Sequence, residues 1–263
     1  MPLPFHQVDA FADRPFTGNP AMVYRLEHWL ADGVMQQIAA EHNLSETAFL
    51  VREGDAWHIR WFTPAAEVPL CGHATLASAQ VLFEVYGEAA QVLEFSSLSG
   101  PLRVMREGDL LWLDFPAQAP TELGVSLEIQ RIMNTEVVDV LGSHELLVVL
   151  ESEQAVRACQ PDLAALAKLS WPGAIVTARG EQHDFVSRYF APAIGVPEDP
   201  VTGATHCSLI PYWSRLLNKS QMTAYQCSAR GGELRCRLEG DRVKIGGRAT
   251  LVASGTLNLD LGG

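Results

Sequence analysis

Residues 60–69 read R-W-F-T-P-A-A-E-V-P, and residues 188–197 read R-Y-F-A-P-A-I-G-V-P. Arg60 matches Arg188, Phe62 matches Phe190, Pro64 matches Pro192, Ala65 matches Ala193, Val68 matches Val196 and Pro69 matches Pro197, all at an offset of 128 residues. Six identities in ten ungapped positions, at close to half the chain length, point to two pseudo-equivalent lobes. The period is too long for a solenoid. The alternative is that both stretches are ordinary strand-to-loop exits, where an aromatic residue followed by Pro is common. The flanks fit the two-lobe reading. His58–Phe62 and Phe185–Phe190 are short and rich in aromatic and β-branched residues, so each predicts a strand. Each runs into a Pro-containing loop, and a helical pattern follows. Gly72 to Tyr86 and Gly203 to Leu217 are apolar almost all round, which predicts buried helices.

Working outward, most other segments predict strands: Phe5–Phe11, Met22–Tyr24, Ala48–Val51, Leu110–Phe115, Leu146–Leu150, Ala174–Thr177, Met222–Cys227, Arg242–Ile245 and Thr250–Leu259. Ala31–His42 predicts an amphipathic helix stopped by Asn43, and Pro161–Leu169 a shorter one. Gly246-Gly247 reads as a turn. The Pro-rich stretch Pro116–Leu123 marks a boundary. The expected organisation is an α+β chain with an N-terminal lobe at 1–118, completed by the last strand at about 250–263, and a C-terminal lobe at 119–249. Each lobe is a barrel-like, mostly antiparallel sheet around a central helix.

Composition narrows the function classes. With 263 residues, 48% hydrophobic and 19% charged, the chain supports a full core. A net charge of −12 repels nucleic acid and anionic membrane surfaces, and no Lys/Arg cluster offsets it. Five cysteines, an odd number without a C-x-x-C pair, predict reduced thiols and a cytoplasmic protein. Met-Pro-Leu-Pro-Phe at the N-terminus has no signal-peptide character, and no apolar run reaches the roughly 18 residues of a membrane-spanning helix. The eight histidines form no H-x-x-x-H or H-E-x-x-H pattern, so no metal is expected.

The candidate site gathers at the two predicted helix starts. Cys71-Gly72-His73-Ala74-Thr75 opens the first, and Glu198-Asp199-Pro200-Val201-Thr202-Gly203-Ala204-Thr205 opens the second. Unpaired amides and the positive dipole end at such starts suit a carboxylate; the bland alternative is a pair of ordinary capped helix ends. Glu46 opens a strand, where a carboxylate is ordinarily solvated. Facing a pocket, it becomes a usable acid/base. His73 is a natural proton carrier or a hydrogen-bonding residue, and Asp199 a site residue or an Asx turn.

At these residues the chain resembles the phenazine-biosynthesis PhzF-like family. The resemblance rests on Asn19-Pro20, N-L-S-E-T-A-F at 43–49, P-L-C-G-H-A-T-L-A at 69–77 and E-D-P-V-T-G at 198–203, in that order. It implies a diaminopimelate epimerase-like fold with the site between the lobes, no cofactor, a homodimer and a small acidic metabolite as substrate. It implies that Glu46 is the main acid/base and that His73 and Asp199 orient substrate or relay protons. It also implies that Cys71, Gly72, Ala74, Thr202, Gly203, Ala204 and Thr205 line the substrate. Ala204 stands where the family often carries a serine, with Thr205 beside it. Epimerase relatives use one thiol per lobe; here the first position is Cys71 and the second corresponds to Thr202, whose hydroxyl is far too weak an acid to replace a thiol. The implied reaction is an isomerisation by proton shift. An epimerase or racemase using Cys71, and a non-catalytic small-molecule-binding homologue, are the alternatives.

Overall fold

The computed structural model describes residues 2–259, so residues 260–263 of the expected last strand lie outside the described residues. The chain divides into two compact units. One runs from the N-terminus to Asp114 and resumes at Gly246; the other spans Phe115–Ile245.

The first unit contains β1 (Pro2–Ala10), β2 (Asn19–Leu26), α1 (Asp32–His42), β3 (Glu46–Glu53), β4 (Ala56–Phe62), β5 (Glu67–Val68), α2 (Gly72–Glu84), β6 (Val92–Ser97), β7 (Gly100–Glu107) and β8 (Leu110–Pro116). The second contains β9 (Thr121–Glu122), α3 (Leu127–Met133), β10 (Asp139–Gly142), β11 (Leu146–Val149), α4 (Glu153–Ala158), α5 (Leu163–Leu166), β12 (Ala174–Arg179), β13 (Phe185–Ala191), β14 (Val196–Asp199), α6 (His206–Leu217), β15 (Gln221–Gln226), β16 (Gly232–Glu239) and β17 (Arg242–Gly247). The chain then returns to the first unit as β18 (Ala249–Asn258).

Strand pairing repeats from one unit to the other. In the first, β18–β1 and β1–β2 are antiparallel, β2–β3 parallel, β3–β4 antiparallel, β4–β6 parallel and β6–β7 antiparallel. In the second, β9–β10 and β10–β11 are antiparallel, β11–β12 parallel, β12–β13 antiparallel, β13–β15 parallel and β15–β16 antiparallel. The α+β fold expected from the sequence is present, mostly strand, with one repeated topology.

α2 is the core of its unit. It packs against β1, β2, β3, β7 and β18, and eleven of its thirteen residues are buried. Small residues (Gly72, Ala74, Ala77, Ser78, Ala79) let the sheet approach the helix closely, while Leu76, Val81, Leu82 and Phe83 fill the space between. Burying each of these larger side chains contributes about 1.5–3 kcal/mol. The buried hydroxyls of Thr75 and Ser78 donate back to Cys71 O and Ala74 O at 2.5 and 2.7 Å, so neither is left unsatisfied. α1 covers part of the sheet through Met35, Ile38 and Ala39, which join Tyr24, Phe49 and Phe62. In the second unit α3, α4 and α5 play the covering role, with Ile129, Ile132, Met133, Val156 and Leu166 against Val140, Val148 and Val176.

The repeat that opened the sequence is a built device. Arg60 forks onto Glu67, Nε to Oε1 at 2.7 Å and Nη2 to Oε2 at 2.6 Å. Arg188 forks onto Glu198 at 2.7 and 3.0 Å. Each fork ties a strand to the returning strand that leads toward a central helix. The ungapped alignment, however, fails after Ala65 and Ala193. Val68 pairs with Trp61, whereas the residue opposite Tyr189 is Asp199. A 3₁₀ turn at Pro192–Ile194 and a left-handed Gly195 lengthen the second loop, and the offset grows from 128 to 131 residues. Val196 and Pro197 are thus not the counterparts of Val68 and Pro69.

Three further expectations are corrected. The second central helix starts at His206, not Gly203: residues 203–205 form a tight turn in which His206, Cys207 and Ser208 amides donate to the carbonyls of Gly203, Ala204 and Thr205. The 161–169 helix shrinks to Leu163–Leu166, because Asp162 caps it late and the amides of Lys168 and Leu169 then reach only three residues back. Gly246-Gly247 is no turn but the end of β17, where a Cβ would sit 2.7 Å from the Trp112 indole at Gly246 and against the Phe11 ring at Gly247. Among the described residues no helix is long and apolar enough to cross a membrane. All five cysteines are buried, and no disulfide joins them.

Candidate active site

Glu46 is the first residue of β3, which begins just after the left-handed Asn43 that stops α1. Cys71 is the extended residue preceding α2, and Gly72, His73 and Ala74 form its first turn. Asn19 begins β2, whose register with β3 sets Ala21 opposite Glu46. Three elements far apart in sequence thus deliver their ends to one place.

There, His73 Nε2 lies 3.1 Å from Glu46 Oε2, with the imidazole side chain 6% exposed and the carboxylate 18% exposed. On the other edge of the ring, His73 Nδ1 is 3.2 Å from Asn19 Nδ2 and 3.5 Å from Cys71 Sγ. Nδ1 faces two potential donors, an amide and a thiol, so its lone pair belongs on that side. The ring proton then sits on Nε2, against Glu46. Burial lowers the His73 pKa from 6.5 to about 3, so the ring is neutral at physiological pH. The contact is therefore a neutral imidazole beside a carboxylate, not a salt bridge between full charges. No side chain caps α2, and the first-turn amides of a helix have no intrahelical acceptor, so Gly72, His73 and Ala74 present N–H groups at the same end.

In the second unit, Asp199 ends β14 and is buried. Its carboxylate accepts the Thr202 hydroxyl. Gln226, on the inward face of β15, organises the turn. Its Oε1 accepts from Thr202 N at 2.9 Å, and its Nε2 donates to Asp199 O at 2.9 Å. Thr205 Oγ1 donates to Thr202 O at 2.8 Å, and His206 Nδ1 lies 2.9 Å from the same oxygen. Burial lowers the His206 pKa to about 4, so the Nδ1–H donates while the ring stays neutral. Gly203 and Thr205 are buried, Thr202 is half-buried and Ala204 is exposed.

Glu46, Cys71, Gly72, His73 and Ala74 come together in the first unit, and Asp199, Thr202, Gly203, Ala204 and Thr205 in the second. Sequence reasoning gave no role to the Asn19 side chain, Gln226 or His206. A signal existed for Gln226: Met222, Ala224 and Gln226 share the buried face of an alternating strand, and an uncharged polar residue there needs partners. Glu46, Cys71 and His73 also bring one oxygen, one sulfur and one nitrogen within 4.8 Å of one another, a donor set no sequence spacing announced.

A family model described as phenazine biosynthesis-like protein, PhzC-PhzF, matches residues 8–255. The chain is 68% identical over 260 residues to a protein of Pseudomonas aeruginosa named an uncharacterized isomerase, covering 98% of this chain and 100% of the relative. A crystal structure of a phenazine biosynthesis protein of the PhzF family from Enterococcus faecalis superposes with a TM-score of 0.97 at 48% identity, covering 98% of this chain and 100% of that one. A probable proline racemase of Agrobacterium radiobacter shares the fold alone, with a TM-score of 0.71 at 10% identity over 98% of this chain and 93% of its own. With a family model spanning nearly all its length and relatives that carry the name isomerase, this chain belongs to the PhzC-PhzF phenazine biosynthesis-like family.

Proposed function

We propose that this protein is an isomerase that shifts a proton between two carbons of a small carboxylate-bearing metabolite, with Glu46 as the general acid and base. One observation carries the reading: a largely buried carboxylate 3.1 Å from the Nε2 of a neutral, fully enclosed imidazole. Glu46 takes a proton from an activated carbon. The electron pair moves along the allylic system, and the protonated Glu46 returns the proton at its far end. His73 packs its Nε2 edge beside the carboxylate and fixes where it sits, and the first-turn amides of α2 receive the negative charge of the substrate. The scheme asks for no cofactor.

In the same proposal Asp199, Thr202 and the amides of Gly203, Ala204 and Thr205 bind and orient substrate. The acidic metabolite, the homodimer and the cytoplasmic setting belong to the proposal too. Five buried thiols with no disulfide among them support a reducing compartment. A homodimer would elute at twice the 28.7 kDa of one chain.

The test is incubation with a panel of small unsaturated and amino carboxylates in D₂O, followed by NMR for carbon-bound deuterium. E46Q is expected to lower turnover by roughly 10²–10⁴-fold with an unchanged circular dichroism spectrum. Wild-type turnover in E46Q would refute the assignment. D199N is expected to raise KM more than it lowers kcat. The contact of Cys71 Sγ with His73 Nδ1 favours a second reading, an epimerase using that thiol. Deuterium uptake at an amino acid α-carbon, lost in C71S and kept in E46Q, would select it.

A further inference from the structure

We propose that Glu46, Cys71 and His73 form a binding site for a zinc-like divalent cation, and that occupancy by Zn²⁺ switches off the proton chemistry of the same residues. One oxygen, one sulfur and one nitrogen donor lie within 4.8 Å of one another. In a tetrahedral zinc site with bonds of about 2.0–2.3 Å, donor atoms are separated by roughly 3.3–3.7 Å. The Glu46 Oε2 to His73 Nε2 distance of 3.1 Å already approximates one such edge. Cys71 Sγ, 3.5 Å from His73 Nδ1, stands by the other nitrogen of the ring, so its side chain turns toward Nε2 when the ion binds.

Chemistry and charge agree with the geometry. Glu46, Cys71 and His73 are the borderline donor types that zinc selects, and three protein ligands leave a fourth position open. With Cys71 and Glu46 both ionised, their two negative charges cancel the two positive charges of the ion. The occupied site is therefore neutral overall, as an enclosed site requires. His73 binds through Nε2 and its ring proton moves to Nδ1. The Asn19 amide, 3.2 Å from Nδ1, then turns its oxygen inward to accept that proton, the outer hydrogen bond that metal-bound imidazoles use. Cys71 loses its proton to solvent on binding. All four residues belong to one unit.

Inhibition rests on the proposed role of Glu46, whereas binding does not, and the experiment separates the two. Isothermal titration with Zn²⁺ is expected to give one ion per chain for the wild type. Titration with Cd²⁺ is expected to give a sulfur-to-cadmium charge-transfer band in the ultraviolet. C71S should abolish the band, and E46Q should weaken Zn²⁺ binding by about tenfold or more. C227S, which alters a buried thiol in the other unit, should leave both readouts unchanged. Circular dichroism checks that each variant is folded. No Zn²⁺ binding by the wild type at concentrations of order a millimolar, or a band that survives in folded C71S, overturns the proposal. Cys71-dependent binding in a protein without turnover supports the metal site and removes the proton shuttle. Glu46-dependent turnover that is indifferent to Zn²⁺ does the reverse.

Discussion

His73 illustrates how a side chain acquires a function from its two edges. Buried with a pKa near 3, it carries no charge to give, so its value lies in which nitrogen holds the proton. Asn19 and Cys71 both face Nδ1, which leaves the proton on Nε2, the edge that lies beside Glu46. Replacing the Asn19 amide with a carboxylate reverses this, since Asp at that position accepts from Nδ1–H and strips the proton from the Glu46 side. N19D is therefore expected to lower turnover by about tenfold or more, in line with the large cost of a wrong imidazole tautomer in hydrolytic triads. N19S, whose shorter hydroxyl imposes neither tautomer on the ring, should retain more activity than N19D. Equal activities in the two variants would show that tautomer control is not the role of Asn19.

At the scale of elements, the two arginine forks set how each strand feeds its helix. Arg188 does more than its counterpart: besides Glu198, its Nη1 donates to the carbonyls of Val156, Arg157 and Cys159 at 3.2, 3.2 and 2.6 Å, tying the C-terminal end of α4 to β13. Arg60 instead reaches Asp32, whose side chain is 79% exposed. R188Q should thus destabilise by about 1–3 kcal/mol and R60Q by less, because only the former leaves half-buried carbonyls without their donor. Urea unfolding of the two variants checks the order. The glycines offer a matched pair. G246A places a methyl group 2.7 Å from Trp112 and is expected to cost about 1–3 kcal/mol. G33A, inside α1 with open space around it, should stabilise by about 0.5–1 kcal/mol.

For the whole molecule the same buried rings predict acid sensitivity. His73 and His206, one in each unit, titrate near 3 and near 4 in the folded chain, against 6.5 when exposed. Between those values the unfolded chain binds protons that the folded chain refuses. The stability held by the neutral rings is complete above pH 6.5 and drains as pH falls from there through 4 toward 3. Each tenfold difference in proton affinity between the folded and unfolded chain is worth about 1.4 kcal/mol, so the loss is on the order of a few kcal/mol. H206N keeps a donor for Thr202 O but cannot titrate, so its urea midpoint should fall less steeply between pH 6.5 and 4 than that of the wild type. Parallel slopes would contradict the assignment. The chain by itself determined the repeat, both central helices, most strands and the short motifs that contain Glu46, His73 and Asp199. Apolar periodicity, Pro and Gly act on near neighbours and are written into a local stretch. Only the tertiary structure decided the three-residue growth of the second loop, the late start of α6 and the strand at Gly246-Gly247, where Trp112 and Phe11 leave no room for side chains. It alone brought Asn19 to His73 across 54 residues and set both against Glu46 and Cys71. Such convergence follows from sheet register and helix packing, which no single stretch of sequence encodes.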